Sequence, residues 1–578
     1  MENARRYRVP VAVGALGDRT REDEPEAPES VARRRFPLAV WLIVALQTML
    51  MLGTTVLYPP FQSPDEVAHI DYVLAHRQGE WFDRVGERHY QSGVIAARAQ
   101  VPDTQFRAHV GGTPPVPRSM RKSFDALGTG PSDSPFPNQM VQHPPLYYAL
   151  AAGFSYLLPD FSQLRFDVQI FWLRLLSVLL LAPVPLLIYG AALRATQRRS
   201  LALVAAIIPL SMPSYLRTGA SVTNDSLLTL LTVVVAALLV QIAWGDHTRR
   251  TTVLLGLAWG GALLTKGFAL ALPPAIVLAY LVGANGSLRE RIRASWPGIV
   301  LSGAVGFAVG GWWWIRNVAL YGKVQPDGYM TLSAGLRQLG FGHDRPGGGD
   351  SDFFGNFFRL LGQRLWGSLG LIDQPSVPHP VLFTVAVLLL VSLVVALVAG
   401  APRFRAGSAG SGWTVGRAAS LLLPALLTLA VIYAGSRSTY LRGRQLSGIQ
   451  ARYLIPTVLG LAICIAVALD LAARRLRRWL PVTALVASLM FLTVSVYRVL
   501  SVEMSSVSPD RSRRLKDALH FVVGWAPFPA AVTVTMLALT AGLAVATLVV
   551  LALGATRGAP DGVTAPAPDR EEIRSEPC

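Results

Sequence analysis

The sequence predicts an all-α polytopic membrane protein with roughly 12 transmembrane helices. Of the 578 residues, 52% are hydrophobic and only 15% are charged, whereas soluble domains carry about 25% charged residues. Apolar runs recur along the chain, and each span needs roughly 20 apolar residues to cross a bilayer. Short arginine clusters separate many of these runs, as is typical of cytoplasmic loops. The net charge of +18 is therefore explained by membrane topology, and no nucleic-acid partner is predicted.

The predicted spans follow from the apolar runs, and their orientation follows from the arginines. The runs lie at about 36–57, 171–193, 201–214, 226–244, 252–265, 267–283, 297–315, 380–400, 418–435, 453–471, 480–499 and 529–553. A shorter run, Leu146–Leu158, predicts a helix at the membrane interface. If the N-terminus is cytoplasmic, the turns on its side are all basic, in agreement with the positive-inside rule. We therefore expect a multi-pass protein of the cell membrane with both termini cytoplasmic.

The sequence predicts one membrane domain, 36–555, between two disordered cytoplasmic segments, an arm at 1–35 and a tail at 556–578. Two long segments, 58–170 with interfacial helices and 316–379, fall on the extracytoplasmic side. Most unusual polar residues are in the extracytoplasmic segments, so we expect the chemistry on that face. The abundance of Ala, Val and Arg with few Lys is typical of a GC-rich bacterial genome.

An acidic pair, Asp65 and Glu66, follows the first apolar run in "SPDEVAH". Ser63 or Asp65 can cap a helix that starts near Glu66, and Glu66 and His69 then share a face. The pair has three interpretations: a helix cap with a first-turn acid, a metal site completed by His69, or catalytic carboxylates. Local spacing does not decide among them.

Four further stretches carry polar residues at predicted extracytoplasmic boundaries, and each also has a structural explanation as an interface anchor, a helix cap or a snorkelling side chain. The prolines after His143 stiffen the backbone and fix the direction of its ring. Lys266 interrupts an apolar stretch, which favours an anionic partner. The residues are His143 in "QHPPLYYAL", Asn224 and Asp225 in "TGASVTNDSLL", Lys266 in "GALLTKGFALALPP", and Arg316 and Asn317 in "GGWWWIRN".

Four arginines, Arg437, Arg442, Arg444 and Arg452, crowd the segment 435–456 on the side where the charge rule predicts few. The planar guanidinium group suits phosphate oxygens. Acids beside such cations at headgroup level suit the transfer of a group from a lipid phosphate to an acceptor hydroxyl. A carboxylate would act as base and the cations would stabilise the departing phosphate.

Six motifs spread over about residues 55–460 resemble, in order, those of the GT-C superfamily, whose polytopic glycosyltransferases take sugars from polyprenyl-phosphate donors. They are "SPDEVAH", "HPPLYY", "TND", "LLTKG", "WWWIRN…YG" and "QARYLIP". Within the superfamily the chain looks most like a bacterial family of predicted membrane proteins of unknown function. The resemblance implies a GT-C-like helical bundle in which Asp65 or Glu66 is the general base of an inverting displacement. It places the following residues around the substrate: His69, His143, Asn224, Asp225, Lys266, Arg316, Asn317, Arg442, Arg444, Arg452 and Tyr453.

The resemblance also implies the partners. They are a polyprenyl-phosphate sugar donor, a glycan, lipid or protein acceptor of the cell envelope, and the bilayer. Some relatives use a divalent metal, so a metal is possible, although the sequence has no decisive ligand set. The alternatives are a transporter or flippase of a lipid-linked or anionic substrate and a non-catalytic scaffold. A transporter predicts charges along a central pathway and repeat symmetry, and the sequence has little of either.

Overall fold

Helices form almost all of the computed structural model, which describes residues 37–101, 115–133, 137–328, 350–366, 379–401, 412–443, 446, 448–501, 510 and 512–557. Within these ranges the only extended pairing is two isolated bridges, His89 with Pro137 and Gln91 with Pro131. The described residues from Leu38 onward form one compact unit. The arm predicted at 1–35 and the tail from residue 558 lie outside the described residues.

The helices follow the predicted order. The first part of the chain contains α1 (Leu38–Leu57), α2 (Glu66–Arg77), α3 (Ser92–Ala99), α4 (Phe124–Leu127), α5 (Leu146–Tyr156), α6 (Phe166–Leu181), α7 (Val184–Thr196), α8 (Arg199–Ile207), α9 (Pro213–Gly219) and α10 (Asn224–Ala243). The second part contains α11 (Arg249–Leu263), α12 (Pro273–Gly283), α13 (Leu288–Gly306), α14 (Trp312–Tyr321), α15 (Asp350–Trp366), α16 (His379–Ala399), α17 (Val415–Gly443), α18 (Val458–Ala472), α19 (Leu480–Ser501), α20 (Arg514–Trp525) and α21 (Ala530–Thr556). The predicted interfacial run at 146–158 corresponds to α5.

Nine helical stretches of the described chain are long and apolar enough to cross a membrane, or ten if the bent pair Arg199–Ser211 and Pro213–Gly219 is one span. The nine are Leu38–Leu57, Phe166–Thr196, Asn224–Ala243, Leu288–Tyr321, Pro380–Ala399, Val415–Leu441, Arg452–Ala472, Arg474–Ser501 and Ala530–Thr556. Three of the twelve predicted runs are not among the nine: the run at 201–214 lies in the bent pair, and the runs at 252–265 and 267–283 form shorter helices. These are α11 with 15 residues and α12 with 11.

Two pairs of glycines bring α11 and α13, with the π-turn that follows α13, into close contact. Gly256 and Gly260 are four residues apart on α11, and Gly306 and Gly310 are four apart on the facing segment. A Cβ atom added to Gly260 would lie 2.6 Å from the Val309 Cβ and 2.9 Å from the Gly306 carbonyl oxygen. This spacing of small residues lets membrane helices approach backbone to backbone. The contact holds α11, and so the turn that follows it, in place.

Arginines of the first long segment bind backbone carbonyls at the end of α20. Arg118 donates to the carbonyls of Val523 and Ala526 at 2.9 and 3.0 Å. Arg121 donates to the Gly524 carbonyl at 2.5 Å and stacks over the Trp525 ring at 4.7 Å. These bonds, with the 2.6 Å ion pair between Arg121 and the buried Asp167, form what we call the arginine clasp. The clasp joins the first segment to the chain just before the last span.

Candidate active site

Asp65 is the residue that precedes α2, and its backbone is in the left-handed region at φ 58°. Aspartate is among the few residues that adopt this conformation readily. The sequence allowed Asp65 to cap α2, but its side chain makes no capping bond. Instead the carboxylate is paired with the Arg452 guanidinium and accepts a 3.2 Å hydrogen bond from the Gln139 amide. The left-handed backbone therefore coincides with a carboxylate that faces a cavity.

Glu66 has a different environment from its neighbour. Its side chain is fully buried, and Arg174 of α6 binds both of its oxygens, with Nε donating at 2.8 Å and Nη2 at 2.6 Å. The Val222 backbone N–H donates to the same carboxylate at 3.1 Å. Arg174 also donates to the carbonyls of Thr55 and Tyr58, at 2.7 Å each. Glu66 thus joins the end of α1 to α2 and α6, and it does not line the cavity.

A chain of alternating charges runs inward from Asp65. Arg452, which pairs with Asp65, also lies 3.4 Å from an oxygen of Asp225 through its Nε. The other oxygen of Asp225 accepts a 2.6 Å bond from the Lys266 ammonium. Asp225 is fully buried and Lys266 is 5% exposed, so screening by solvent is weak here. The four side chains form a charge-balanced group, which we call the ion-pair chain.

Lys266 lies in the turn between α11 and a short 3-10 helix, Gly267–Ala271. Its ammonium group lies 4.7 Å from the centre of the Tyr453 ring, which adds a cation–π contact. The Asn224 amide donates to the Thr265 carbonyl at 3.5 Å, so Asn224 contacts the residue that precedes Lys266 in this turn. The sequence prediction of an anionic partner for Lys266 corresponds here to Asp225.

His69 and His143 complete the polar surroundings of the ion-pair chain. The Nδ1 atom of His69 forms a 3.0 Å hydrogen bond with the Tyr148 hydroxyl. Burial lowers the pKa of His69 well below 6.5, and Lys266 and Arg452 lower it further. Burial, followed by the charge of Lys266, lowers the pKa of His143 in the same way. Both imidazoles are therefore neutral near pH 7.

These groups surround an open cavity of about 930 Å³, a size typical of small-molecule sites. Its charged lining includes Asp65, Lys266 and Arg452. They lie just before α2, in the turn after α11 and in the 3-10 helix Ala451–Thr457. The remaining lining residues are His69, Gln139, Met140, Gln142, His143, Gly267, Phe268, Leu270, Ala271, Gln325, Asp327, Arg364, Val431, Thr439, Leu446, Gly448, Gln450 and Tyr453.

Arg316 and Asn317 are not among the residues that line the cavity, and neither are the buried Glu66, Asn224 and Asp225. Arg316 stacks on Trp313 at 4.8 Å and donates to the Phe82 carbonyl at 3.4 Å. The Asn317 amide donates to the Val324 carbonyl at 3.0 Å, so this residue closes the end of α14. Arg444 lies outside the described residues, as does the Arg442 side chain.

Three residues of this region have no place in the sequence prediction. Arg174 is the single charged residue in the apolar run 171–193, and an intramembrane charge of this kind indicates a specific partner. That signal could have identified the Arg174–Glu66 pair. Gln139 and Arg364 also line the cavity, but glutamine in a loop and arginine in an amphipathic helix carry no comparable signal.

The metal interpretation of Asp65, Glu66 and His69 finds no support in the geometry. Glu66 is bound by Arg174, and Asp65 is paired with Arg452. Nowhere in the described ranges do three His, Cys, Asp or Glu side chains come together in a way that could hold a metal ion.

Comparison with known proteins gives a family match and several structural similarities. The family described as "Predicted membrane protein (DUF2142)" matches residues 48–461. No curated protein has a matching sequence. The fold is similar to that of ArnT from Cupriavidus metallidurans bound to undecaprenyl phosphate, with 16% identity, 89% of this chain and 77% of that chain covered, and a TM-score of 0.40.

Two archaeal structures are similar to a comparable degree. AglB, the oligosaccharyltransferase of Archaeoglobus fulgidus, in complex with an inhibitory peptide and a dolichol-phosphate, is 13% identical over 83% of this chain and 56% of that chain, with a TM-score of 0.42. The Archaeoglobus fulgidus oligosaccharyltransferase tethered to an acceptor peptide is 13% identical, with 88% of this chain and 55% of that chain covered and a TM-score of 0.41. This chain spans about half the length of these archaeal proteins.

Proposed function

The chain belongs to the DUF2142 family of predicted membrane proteins, and from this starting point we propose that it is an inverting glycosyltransferase of the GT-C type. Its donor is a polyprenyl-phosphate sugar and its acceptor a cell-envelope hydroxyl compound on the extracytoplasmic face. The observation that carries this proposal is the shared position of Asp65, Arg452 and Lys266 on one cavity. A carboxylate and two cations at the surface of a membrane protein suit a lipid phosphate and a hydroxyl nucleophile.

Asp65 is the general base in this proposal. Its side chain is 30% exposed, so an acceptor hydroxyl can reach it. Glu66 is fully buried and accepts three hydrogen bonds from Arg174 and Val222, which leaves it no access to a substrate. The contrast supports the assignment of the two acids to different roles, with Asp65 in the reaction and Glu66 in the scaffold.

Arg452 and Lys266 hold the donor phosphate in this proposal. A phosphate competes with the carboxylates for the guanidinium, because arginine binds both through the same planar pattern of donors. When Arg452 turns to the phosphate, the Asp65 carboxylate is released from this ion pair and can accept the proton of the acceptor hydroxyl. Tyr453 lies beside both cations, with its ring centre 4.7 Å from the Lys266 ammonium and 5.5 Å from the Arg452 guanidinium.

The reaction balances with these groups alone. The acceptor hydroxyl gives its proton to Asp65 while its oxygen forms a bond to the anomeric carbon of the sugar. The bond between that carbon and the phosphate oxygen breaks, and the polyprenyl phosphate leaves with one additional negative charge. Lys266 and Arg452 stabilise that charge as it develops. The product is a glycoside with the opposite anomeric configuration.

The experiment that tests the proposal is a transfer assay with the full chain in lipid nanodiscs. A panel of synthetic polyprenyl-phosphate hexoses and pentoses is offered as donors and a panel of octyl glycosides as acceptors. We expect a new glycoside from at least one donor. Its anomeric configuration, determined by NMR, is expected to be opposite to that of the donor. Movement of intact donor across the bilayer of proteoliposomes, with no covalent product from any pair, would instead identify a flippase.

A further inference from the structure

A short 3-10 helix, Arg474–Trp479, joins α18 to α19 and carries four arginines. It follows the stretch Arg452–Ala472 and begins the stretch Arg474–Ser501, both of which are long and apolar enough to cross a membrane. Arg452 lies at the cavity, so the 3-10 helix lies at the opposite end of that span. We expect its side chains at headgroup level on the face that the sequence predicts to be cytoplasmic.

A buried carboxylate fixes the orientation of this 3-10 helix. Asp470 is 1% exposed, and Arg477 binds it through Nε at 2.6 Å and Nη2 at 2.9 Å. Arg198, which lies 272 residues earlier in the chain, donates to the same carboxylate at 2.9 Å. The segments 194–199 and 470–479 meet here, and together they contain seven arginines and one acid. This surface therefore has a large excess of positive charge.

The geometry of a 3-10 helix sorts these side chains into three edges, because residues three apart eclipse each other. Arg477 lies on the edge that faces the protein. Arg475 and Arg478 form a second edge, and both are exposed. Leu476 and Trp479 form the third edge and are 55% and 40% exposed. A charged edge beside an apolar edge is typical of a segment that lies in a bilayer surface.

The apolar edge continues along the outer face of α19. Four further side chains follow Trp479 at spacings of seven, four, four and three residues, which places them on one face of the helix. They are between 38% and 66% exposed: Val486, Met490, Val494 and Tyr497. An acyl chain that lies along this stripe ends at Arg475 and Arg478. Guanidinium groups bind phosphate oxygens through paired donors, and tryptophan favours the membrane interface.

We propose that this surface binds an anionic phospholipid, with the headgroup phosphate on Arg475 and Arg478 and one acyl chain along the stripe on α19. The net charge of the headgroup decides the preference. A zwitterionic phospholipid has the same phosphate, but its own cation is repelled by the surrounding arginines. The site lies on the membrane face opposite to the cavity, and its occupation does not depend on the transfer reaction.

The test is a lipid titration of the full chain in detergent, with bound lipid counted by native mass spectrometry. Phosphatidylglycerol and phosphatidylcholine with identical acyl chains are compared. We expect the wild type to prefer phosphatidylglycerol about thirtyfold, which corresponds to about 1 kcal/mol for each of two arginines. Arg475→Gln with Arg478→Gln is expected to bring this ratio close to one. Leu476→Ala with Trp479→Ala is expected to weaken the binding of both lipids and to keep the ratio.

Arg249→Gln with Arg250→Gln is the matched control. It removes two exposed arginines from the same predicted face, but adjacent residues of an α-helix do not face each other and cannot share one phosphate. The ratio is expected to stay as in the wild type.

Equal affinity of the wild type for the two lipids would overturn the proposal, whether or not the variants fold. An equal loss in the two double arginine variants would also overturn it, since the attraction would then be nonlocal. Binding of glycerol phosphate or polyglutamate as tight as that of phosphatidylglycerol would identify a soluble anion or an acidic peptide as the occupant instead.

Discussion

Asp65 and Glu66 are consecutive in the sequence, yet their carboxylates bind different arginines in different surroundings. Asp65 pairs with Arg452 at the cavity, and Glu66 pairs with Arg174 inside the bundle. The left-handed backbone of Asp65 contributes to this separation, since it is the last residue before the helix and Glu66 is the first within it. Substitution of the two acids is therefore expected to have different consequences.

Asp65→Asn is expected to reduce kcat of sugar transfer by roughly 10²- to 10⁴-fold, the contribution of general base catalysis, while the thermal unfolding midpoint changes little. The measurement is initial-rate transfer in nanodiscs at saturating donor. Asp125→Asn makes the same chemical change at an exposed position of the first segment and serves as control. Wild-type rates in a folded Asp65→Asn protein would exclude Asp65 as the base.

Glu66→Gln is expected to destabilise the protein, because it leaves the Arg174 charge buried without its partner. The cost of breaking a buried ion pair is about 3–5 kcal/mol, and it would appear as a lower unfolding midpoint in detergent. The double variant Glu66→Gln with Arg174→Met is expected to recover part of the loss. Glu87→Gln, at an exposed position, is the control. Equal unfolding midpoints for Glu87→Gln and Glu66→Gln would contradict the structural role of Glu66.

Lys266→Met is expected to lower kcat for transfer by roughly 10²-fold, the typical effect of removing one group that stabilises developing negative charge. The donor KM is also expected to rise, because the ammonium contacts the phosphate in the ground state as well. Asp225 keeps its 3.4 Å contact with Arg452, which limits the loss of stability. Lys323→Met changes an exposed lysine, and identical kinetics in the two variants would refute the phosphate-binding role.

Stability is expected to fall as the pH is lowered below about 6.5. Burial, with Lys266 and Arg452, lowers the pKa of His69 in the folded protein, so below 6.5 the unfolded chain binds a proton that the folded chain does not. Unfolding is then favoured by acid.

The measurement is the unfolding midpoint at pH 7.5 and at pH 5.5. His69→Gln is expected to reduce the difference between these two midpoints. His89→Gln, at an exposed position, should retain it. A midpoint in the wild type that is higher at pH 5.5 would contradict the expected sign.

Gly260→Leu is expected to destabilise the contact between α11 and α13 by about 1–3 kcal/mol, the usual cost of overpacking. A Cβ at this position would lie 2.6 Å from Val309. Gly303→Leu is the matched control on the facing helix, since an added Cβ there has no atom within 4 Å. The unfolding midpoints of the two variants are compared in the same detergent, and equal values would show that the close contact is not needed.

Hydropathy predicted most of the spans because a bilayer-crossing helix must be long and apolar. It overestimated α11 and α12, since their runs are apolar enough for spans although the helices have only 15 and 11 residues. The close glycine contact of α11 with α13 depends on which faces meet, and hydropathy does not contain that information.

The sequence predicted which residues belong to the candidate site better than it predicted which of them pair with each other. The sequence identified both acids, Lys266 and Arg452, but not that Arg452 binds Asp65 or that Arg174 binds Glu66. These partners are 387 and 108 residues apart, and nothing in the local spacing links them. Arg316 and Asn317 were placed at the substrate from the motif, whereas the structure turns them toward Phe82 and Val324.

The arginine clasp bears on when the protein matures during synthesis. Arg118 bonds to a carbonyl 408 residues later in the chain, and at bacterial and eukaryotic translation rates that stretch takes roughly 20–80 s to make. Until the ribosome has passed that point, the first segment lacks its final contacts, and Asp65 also waits for Arg452. A chain that ends before residue 452 therefore carries Asp65, the proposed base, without its cation. Such truncated products are expected to be inactive.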